Sequence, residues 1–166
     1  MIDLTDPSMK EIVDEFCDET NQLLDELEEI LEEYDDEPSL ALLEKYGQTI
    51  DRVMGTAQTI GANQIGQLCQ MGKIIGYKSS QNDDPNLNNI VCGILLDLVD
   101  ILREVVKNLH IAEPEHKFNV EAFMKRLNWL KDKFVHIDRA SCDFEEGDGS
   151  AAITSELESL INNLQL

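Results

Sequence analysis

Apolar residues recur along most of this chain every three or four positions, the spacing of α-helices that bury one face. The first helix is predicted to begin at Asp6 and Pro7, because aspartate caps helices and proline fits the first helical position, and to run to about Tyr34. Its apolar stripe, in which Thr20 fills one gap, comprises Met9, Ile12, Phe16, Leu23, Leu27 and Ile30. Acidic residues occupy most of the other face, which is therefore expected to face solvent.

Two more helices are predicted after short turns. An acidic turn at residues 35–38 precedes a second helix that has Gly47 in its seam. Its apolar positions are Leu40, Leu43, Ile50, Met54 and Ala57. Gly61 and Asn63 mark a break, and a third helix then ends near Tyr77. Its stripe is Ile65, Leu68, Met71 and Ile75. Helices joined by such short turns pack antiparallel.

The fourth helix, about residues 85–110, is the most apolar, and Asp84 and Pro85 give its start. Its stripe is Leu87, Val91, Ile94, Leu98, Ile101, Val105 and Leu109, widened by Ile90, Leu95, Leu96, Leu102 and Val106. Asn119 is predicted to cap a fifth helix, with Trp129 off its stripe. That stripe is Val120, Phe123, Leu127, Leu130 and Phe134.

These elements predict an all-α fold: an antiparallel four-helix bundle with a fifth helix and a short C-terminal sixth helix. No alternation typical of β-strands appears. We expect the bundle to occupy residues 1–135, a polar linker residues 136–150, and the last helix residues 151–166. A helix that short needs a surface to pack on, which is either the bundle or a partner chain, and the second case predicts a homodimer.

The charge and the apolar pattern narrow the partner classes. The formal net charge is −21, and so acidic a surface repels nucleic acid and anionic lipid. The sequence contains neither an apolar run of the roughly 20 residues that span a bilayer nor a signal peptide, so we expect a cytoplasmic protein without membrane insertion. The four cysteines are far apart in sequence and are interpreted as buried thiols rather than ligands of a metal.

The stretch at residues 51–61 carries the most specific information. It reads DRVMGTAQTIG, with small residues at Gly55, Ala57, Thr59 and Gly61. This pattern resembles the signature of histidine phosphotransfer domains, especially the N-terminal domain of chemotaxis kinases, in which a histidine is followed by a small or polar residue, an apolar residue, a lysine and a glycine. The resemblance covers about residues 8–134 and is weak outside the signature. It places Asp51 at the histidine position and Met54 at the lysine position, so that of the motif's histidine, lysine and glycine only the glycine, Gly55, is present.

The resemblance therefore implies a domain that has lost phosphotransfer but kept a binding surface. We expect a non-catalytic module of bacterial two-component or chemotaxis-like signalling that docks a receiver domain or a histidine kinase without cofactor or metal. The face of the first two helices is the expected contact. Its predicted docking residues are Asp51, Arg52, Gly55, Thr56 and Gln58. An exposed apolar patch around Gly55, formed by residues such as Val53, Thr56 and Ile60, would favour this hypothesis, whereas a wholly polar surface there would require a different docking face.

Three alternatives stay open. Asp51 could mimic a phosphorylated histidine through its negative charge, or it could be a neutral surface substitution. Asp18 and Gln22 lie a turn apart, the spacing with which helical receiver phosphatases position a hydrolytic water, but such pairs arise readily by chance in an acidic chain. The bundle could also be an oligomerisation scaffold unrelated to phosphosignalling.

Overall fold

The computed structural model describes residues 2–111, 121–141 and 158–162. After a short 3-10 helix, Pro7–Met9, five α-helices follow within these ranges. They are α1 Lys10–Asp36, α2 Leu40–Ile60, α3 Asn63–Ser80, α4 Pro85–His110 and α5 Glu121–Ser141. Residues 158–162 are also helical, and the described ranges contain no β-strand. The predicted all-α class is confirmed.

Local sequence signals set the ends of these helices. Asp6 accepts a hydrogen bond from the backbone N–H of Ser8 over 2.8 Å and caps the short helix that leads into α1. Asp84 caps α4 in the same way, accepting from the N–H groups of Asn86 and Leu87, with Pro85 in the first turn. Gly61 ends α2 with a φ of 82°, a left-handed conformation that costs glycine little.

The first four helices form the predicted bundle. α1 packs against α2 and α4, and α3 also packs against α2 and α4, so that α2 and α4 lie on opposite corners; α5 packs on the outside of α4. The centre is a continuous apolar core to which each helix contributes. Tyr46 of α2 crosses it, and its hydroxyl donates to the carbonyl of Leu95 on α4 over 3.4 Å.

Four residues expected to be buried are exposed instead. They are Ile12, Leu40, Ile90 and Leu96. The sequence places each at a plausible helical interval, but a helix in a four-helix bundle buries only about half of its circumference, and each lies at the edge of its stripe. Other residues of α1 that were not part of its predicted apolar stripe are buried, namely Val13, Cys17, Leu24 and Leu31.

The predicted linker begins too early. α5 continues to Ser141, six residues past the boundary placed at residue 135, because neither proline nor glycine interrupts the sequence before Gly147. Residues 142–150 lie outside the described residues, as does most of the last predicted helix. Within residues 158–162, Ile161 is buried in the common core, and Lys131 of α5 lies 3.5 Å from the carboxylate of Glu158.

None of the helices in the described ranges combines the length and the apolar character that crossing a membrane requires.

Candidate functional site

Asp51, at the expected histidine position, lies on the side of α2 that faces α3. Lys73 of α3 donates a hydrogen bond from Nζ to Asp51 Oδ1 over 2.9 Å, and the two groups form an ion pair. The side chain of Asp51 is 41% exposed and that of Lys73 is 33% exposed. Because water screens such a pair, it contributes little to stability, and both charges are accessible to a partner.

Arg52 lies on the other side of α2, because successive residues of an α-helix are about 100° apart around its axis. Its guanidinium is 3.8 Å from the carboxylate of Glu26 on α1. Thr56 is half-buried, and its hydroxyl donates to the carbonyl of Val53 over 3.0 Å, so it is satisfied within its own helix. The predicted docking residues therefore do not share one face, and Asp51 does not lie on the expected face of the first two helices.

Gly55 lies one turn after Asp51 and is exposed. A Cβ added to it would meet no atom of the described residues within 4 Å, and its backbone is ordinary helix. Gln58 is also exposed, with its Cγ 3.7 Å from the position that a Cβ on Gly66 of α3 would take. We call the surface formed by Asp51, Gly55, Gln58 and Lys73 the α2–α3 face.

The expected apolar patch around Gly55 is not formed as predicted. Val53 is fully buried in the core, and Thr56 and Ile60 are only partly exposed. Met54, at the expected lysine position, is partly buried against the core. The exposed surface near Gly55 is therefore mainly polar. The apolar patch that would have supported the binding hypothesis is not formed.

Three glycines let α2 and α3 approach closely beside this face. A Cβ on Gly72 would overlap Ile50 Cδ1 and lie 2.7 Å from Leu98 Cδ2. A Cβ on Gly76 would lie 3.2 Å from the carbonyl oxygen of Leu43, and one on Gly47 would lie 3.2 Å from the ring of Tyr77. The sequence signal that could have shown this contact is the four-residue spacing of Gly72 and Gly76, which places both on one side of α3.

Lys73 is not among the residues that the sequence pattern predicts for this site. Its position follows from the link at residues 61–62: when two antiparallel helices are joined so tightly, residues at similar distances before and after the link lie side by side. Asp51 lies ten residues before Gly61, and Lys73 lies twelve after it. The pairing was therefore available from chain numbering, once the helix-ending glycine had been identified.

The residues of the phosphatase alternative lie elsewhere. Asp18 and Gln22 are both exposed on α1, as that alternative requires. Their helix makes its main contacts with α2 and α4, so the two side chains are separate from the α2–α3 face. That these two residues act as a receiver phosphatase stays an alternative prediction.

An apolar groove lies between α4 and α5. It has a volume of about 320 Å³ and is lined by Ile90, Ile94, Lys125, Arg126 and Trp129. Trp129 is 39% exposed and Ile90 44% exposed. Arg126 forms an ion pair with Asp97, and Lys133 Nζ lies 5.4 Å from the centre of the Trp129 ring. This groove is a surface that fits the scaffold alternative.

The described cysteines offer no reactive nucleophile. Cys17, Cys69 and Cys92 are free and buried. Burial raises the pKa of Cys17 to about 11 and that of Cys92 to about 12, and it raises the pKa of Cys69 further. These thiols therefore stay protonated at neutral pH. Among the described residues, no group of three or more His, Cys, Asp or Glu side chains is placed to hold a metal ion.

No protein-family model matches this sequence, and neither the curated proteins nor the solved structures include one that matches it. The resemblance to histidine phosphotransfer domains consequently rests on residues 51–61 and the helices around them, and it stays a prediction.

Proposed function

We propose that this chain is a non-catalytic binding module of the histidine phosphotransfer type. It docks a receiver domain or a histidine kinase of a bacterial two-component or chemotaxis-like system, and no phosphoryl group is exchanged. The contact is the α2–α3 face, defined by Asp51, Gly55, Gln58 and Lys73, instead of the face of the first two helices.

The observation that carries this proposal is the open space at Gly55. Glycine in the middle of a helix costs about 1 kcal/mol relative to alanine. At Gly72 and Gly76 close packing explains the glycine, but at Gly55 a Cβ would meet nothing within 4 Å in the part of the chain that the structure describes. The fold therefore gives no reason for glycine there, whereas a partner whose backbone approaches α2 would.

The chemistry of the site supports binding without transfer. The phosphotransfer family uses a histidine ring nitrogen as nucleophile, and residues 51–61 contain no histidine. Asp51 is instead held by Lys73, an arrangement that neutralises its charge locally. An aspartate accepts phosphate in receiver domains with help from a magnesium ion held by several carboxylates, and we infer no such role for Asp51.

The test is binding to a panel of purified receiver domains and histidine kinase domains from the source organism. Wild type is compared with Gly55→Glu, which places a long charged side chain on the docking surface. The open space at Gly55 means that this variant will fold, which thermal unfolding checks. Asn128→Glu is the matched control, since it adds the same side chain to an exposed position of α5.

We expect at least one receiver or kinase domain to bind wild type and Asn128→Glu with equal affinity and not to bind Gly55→Glu. Equal binding by all three proteins would show that the partner contacts a surface other than the α2–α3 face. If no receiver or kinase domain binds wild type, the proposal is wrong, and the scaffold alternative with its α4–α5 groove would take its place.

A further inference from the structure

The α2–α3 face carries a positive charge that comes from a different helix than the sequence suggests. The resemblance leads us to expect a lysine at residue 54 of α2, where the chain has Met54. The only basic residue between residues 51 and 58 is Arg52, which lies toward Glu26 of α1. Lys73 of α3 brings an ammonium group to the face instead, 2.9 Å from Asp51.

The ion pair leaves Lys73 able to bind a second acceptor. An ammonium group has three N–H donors, and Asp51 Oδ1 accepts one of them. A third of the side chain is exposed, so a carboxylate on a docked partner could reach the same nitrogen.

We propose that Lys73 selects the partner of this site: it binds a pocket of clustered carboxylates by sharing its ammonium between Asp51 and a partner carboxylate. This inference rests on the proposed docking function. A receiver domain's phosphorylation pocket has that chemistry, and Asp51 alone would repel it. With Lys73 beside it, Asp51 is part of an ion pair without net charge, and the remaining N–H groups of the ammonium can donate to the carboxylates of the pocket.

The overall charge of the chain predicts which rate Lys73 controls. A net charge of −21 repels an acidic partner at long range, so one ammonium group changes the approach of the partner little. At contact distance the ammonium makes charge-assisted hydrogen bonds, which govern how long a complex lasts. Loss of Lys73 should therefore act mainly on the dissociation rate.

The experiment measures association and dissociation rates by surface plasmon resonance. The immobilised probe is the purified receiver domain that binds wild type most tightly in the panel. The variants are Lys73→Met, which keeps an unbranched side chain one atom shorter and removes its charge, and Asp51→Asn. Lys107→Met is the matched control, because Lys107 is exposed on α4, at the opposite corner of the bundle from α2.

We expect Lys73→Met to weaken binding about tenfold, mainly through faster dissociation, and Lys107→Met to leave it unchanged. Asp51→Asn should tighten binding, because the ammonium then faces the partner without a competing charge. When the pocket aspartates of the receiver are replaced by asparagine, wild type and Lys73→Met should bind alike.

Each contrary outcome has its own meaning. If Gly55→Glu abolishes binding but Lys73→Met behaves like Lys107→Met, the docking face stands and the role of Lys73 is refuted. Weaker binding by Asp51→Asn would mean that the partner binds the Asp51 carboxylate directly, as phosphohistidine mimicry requires. That result would also refute the role of Lys73. Absence of binding by wild type to every receiver refutes the inference, and absence of binding to every histidine kinase domain as well refutes the docking function.

Discussion

Gly72 and Gly55 are both glycines in the middle of long helices, yet their surroundings are opposite. Gly72 lies where α3 meets α2 and α4, and a side chain there would overlap Ile50 and crowd Leu98, both of which are fully buried. Gly55 lies on α2 with open solvent in place of a neighbour. The first glycine is required by the packing of the helices, and the second is required by no contact among residues 2–111, 121–141 and 158–162.

This difference separates two origins of the same residue type. A glycine that the core requires makes alanine or valine destabilising, because close-packed interiors do not absorb extra methyl groups. A glycine that the core does not require makes alanine stabilising, since alanine is the better helix former. The sign of the change in stability therefore reports whether the fold or something outside it accounts for the glycine.

The largest effect is expected at Gly72. Gly72→Val should lower the free energy of unfolding by about 3 kcal/mol, because the added methyl groups have no space beside Ile50 and Leu98. Urea unfolding followed by circular dichroism measures it. Gly55→Val makes the same change in open space and should move the free energy of unfolding by less than about 0.5 kcal/mol. Equal losses at the two positions would remove the distinction between them.

A smaller effect of opposite sign is expected from alanine at Gly55. Gly55→Ala should raise the free energy of unfolding by about 0.5–1 kcal/mol through helix propensity alone. Gly76→Ala is the control, because its Cβ would lie 3.2 Å from the carbonyl oxygen of Leu43 and should offset or reverse the same gain. Loss of stability in Gly55→Ala, measured in urea, would mean that the fold itself needs this glycine.

The smallest effect is expected from the ion pair beside Gly55. A double-mutant cycle of Asp51→Asn and Lys73→Met should give a coupling free energy below about 0.5 kcal/mol, since both side chains are partly exposed. Urea unfolding of the four proteins provides it. A coupling above about 1.5 kcal/mol would make the pair a structural element and would weaken the case that it is retained for a partner.

The sequence predicted the helices well because their ends carry strong local signals. Asp84 with Pro85 and Gly61 mark boundaries that the structure reproduces. The face of each helix was predicted less well: Ile12 and Ile90 have the right spacing but lie outside the core. Which apolar residue at the edge of a stripe is buried depends on where neighbouring helices lie, and local periodicity does not contain that information.

The candidate site was predicted only in part, for the same reason. The positions of Asp51 and Gly55 came from their own helix, but Lys73 reaches the site across an interface between helices. Gly55 and Gly72 are the same residue type, and only their neighbours in three dimensions show that one is packed and the other open.

The left-handed glycine that ends α2 has a consequence for how this chain can evolve. The link after Gly61 sets which residues of α3 lie beside α2. Inserting one residue into it would turn all of α3 by about 100° about its axis unless the loop absorbed the change. That rotation would carry Lys73 away from Asp51 and, in the same step, bring a side chain into the space beside Ile50. Insertions and deletions at this point are therefore penalised twice, and α2 and α3 are expected to be inherited as one unit of constant length.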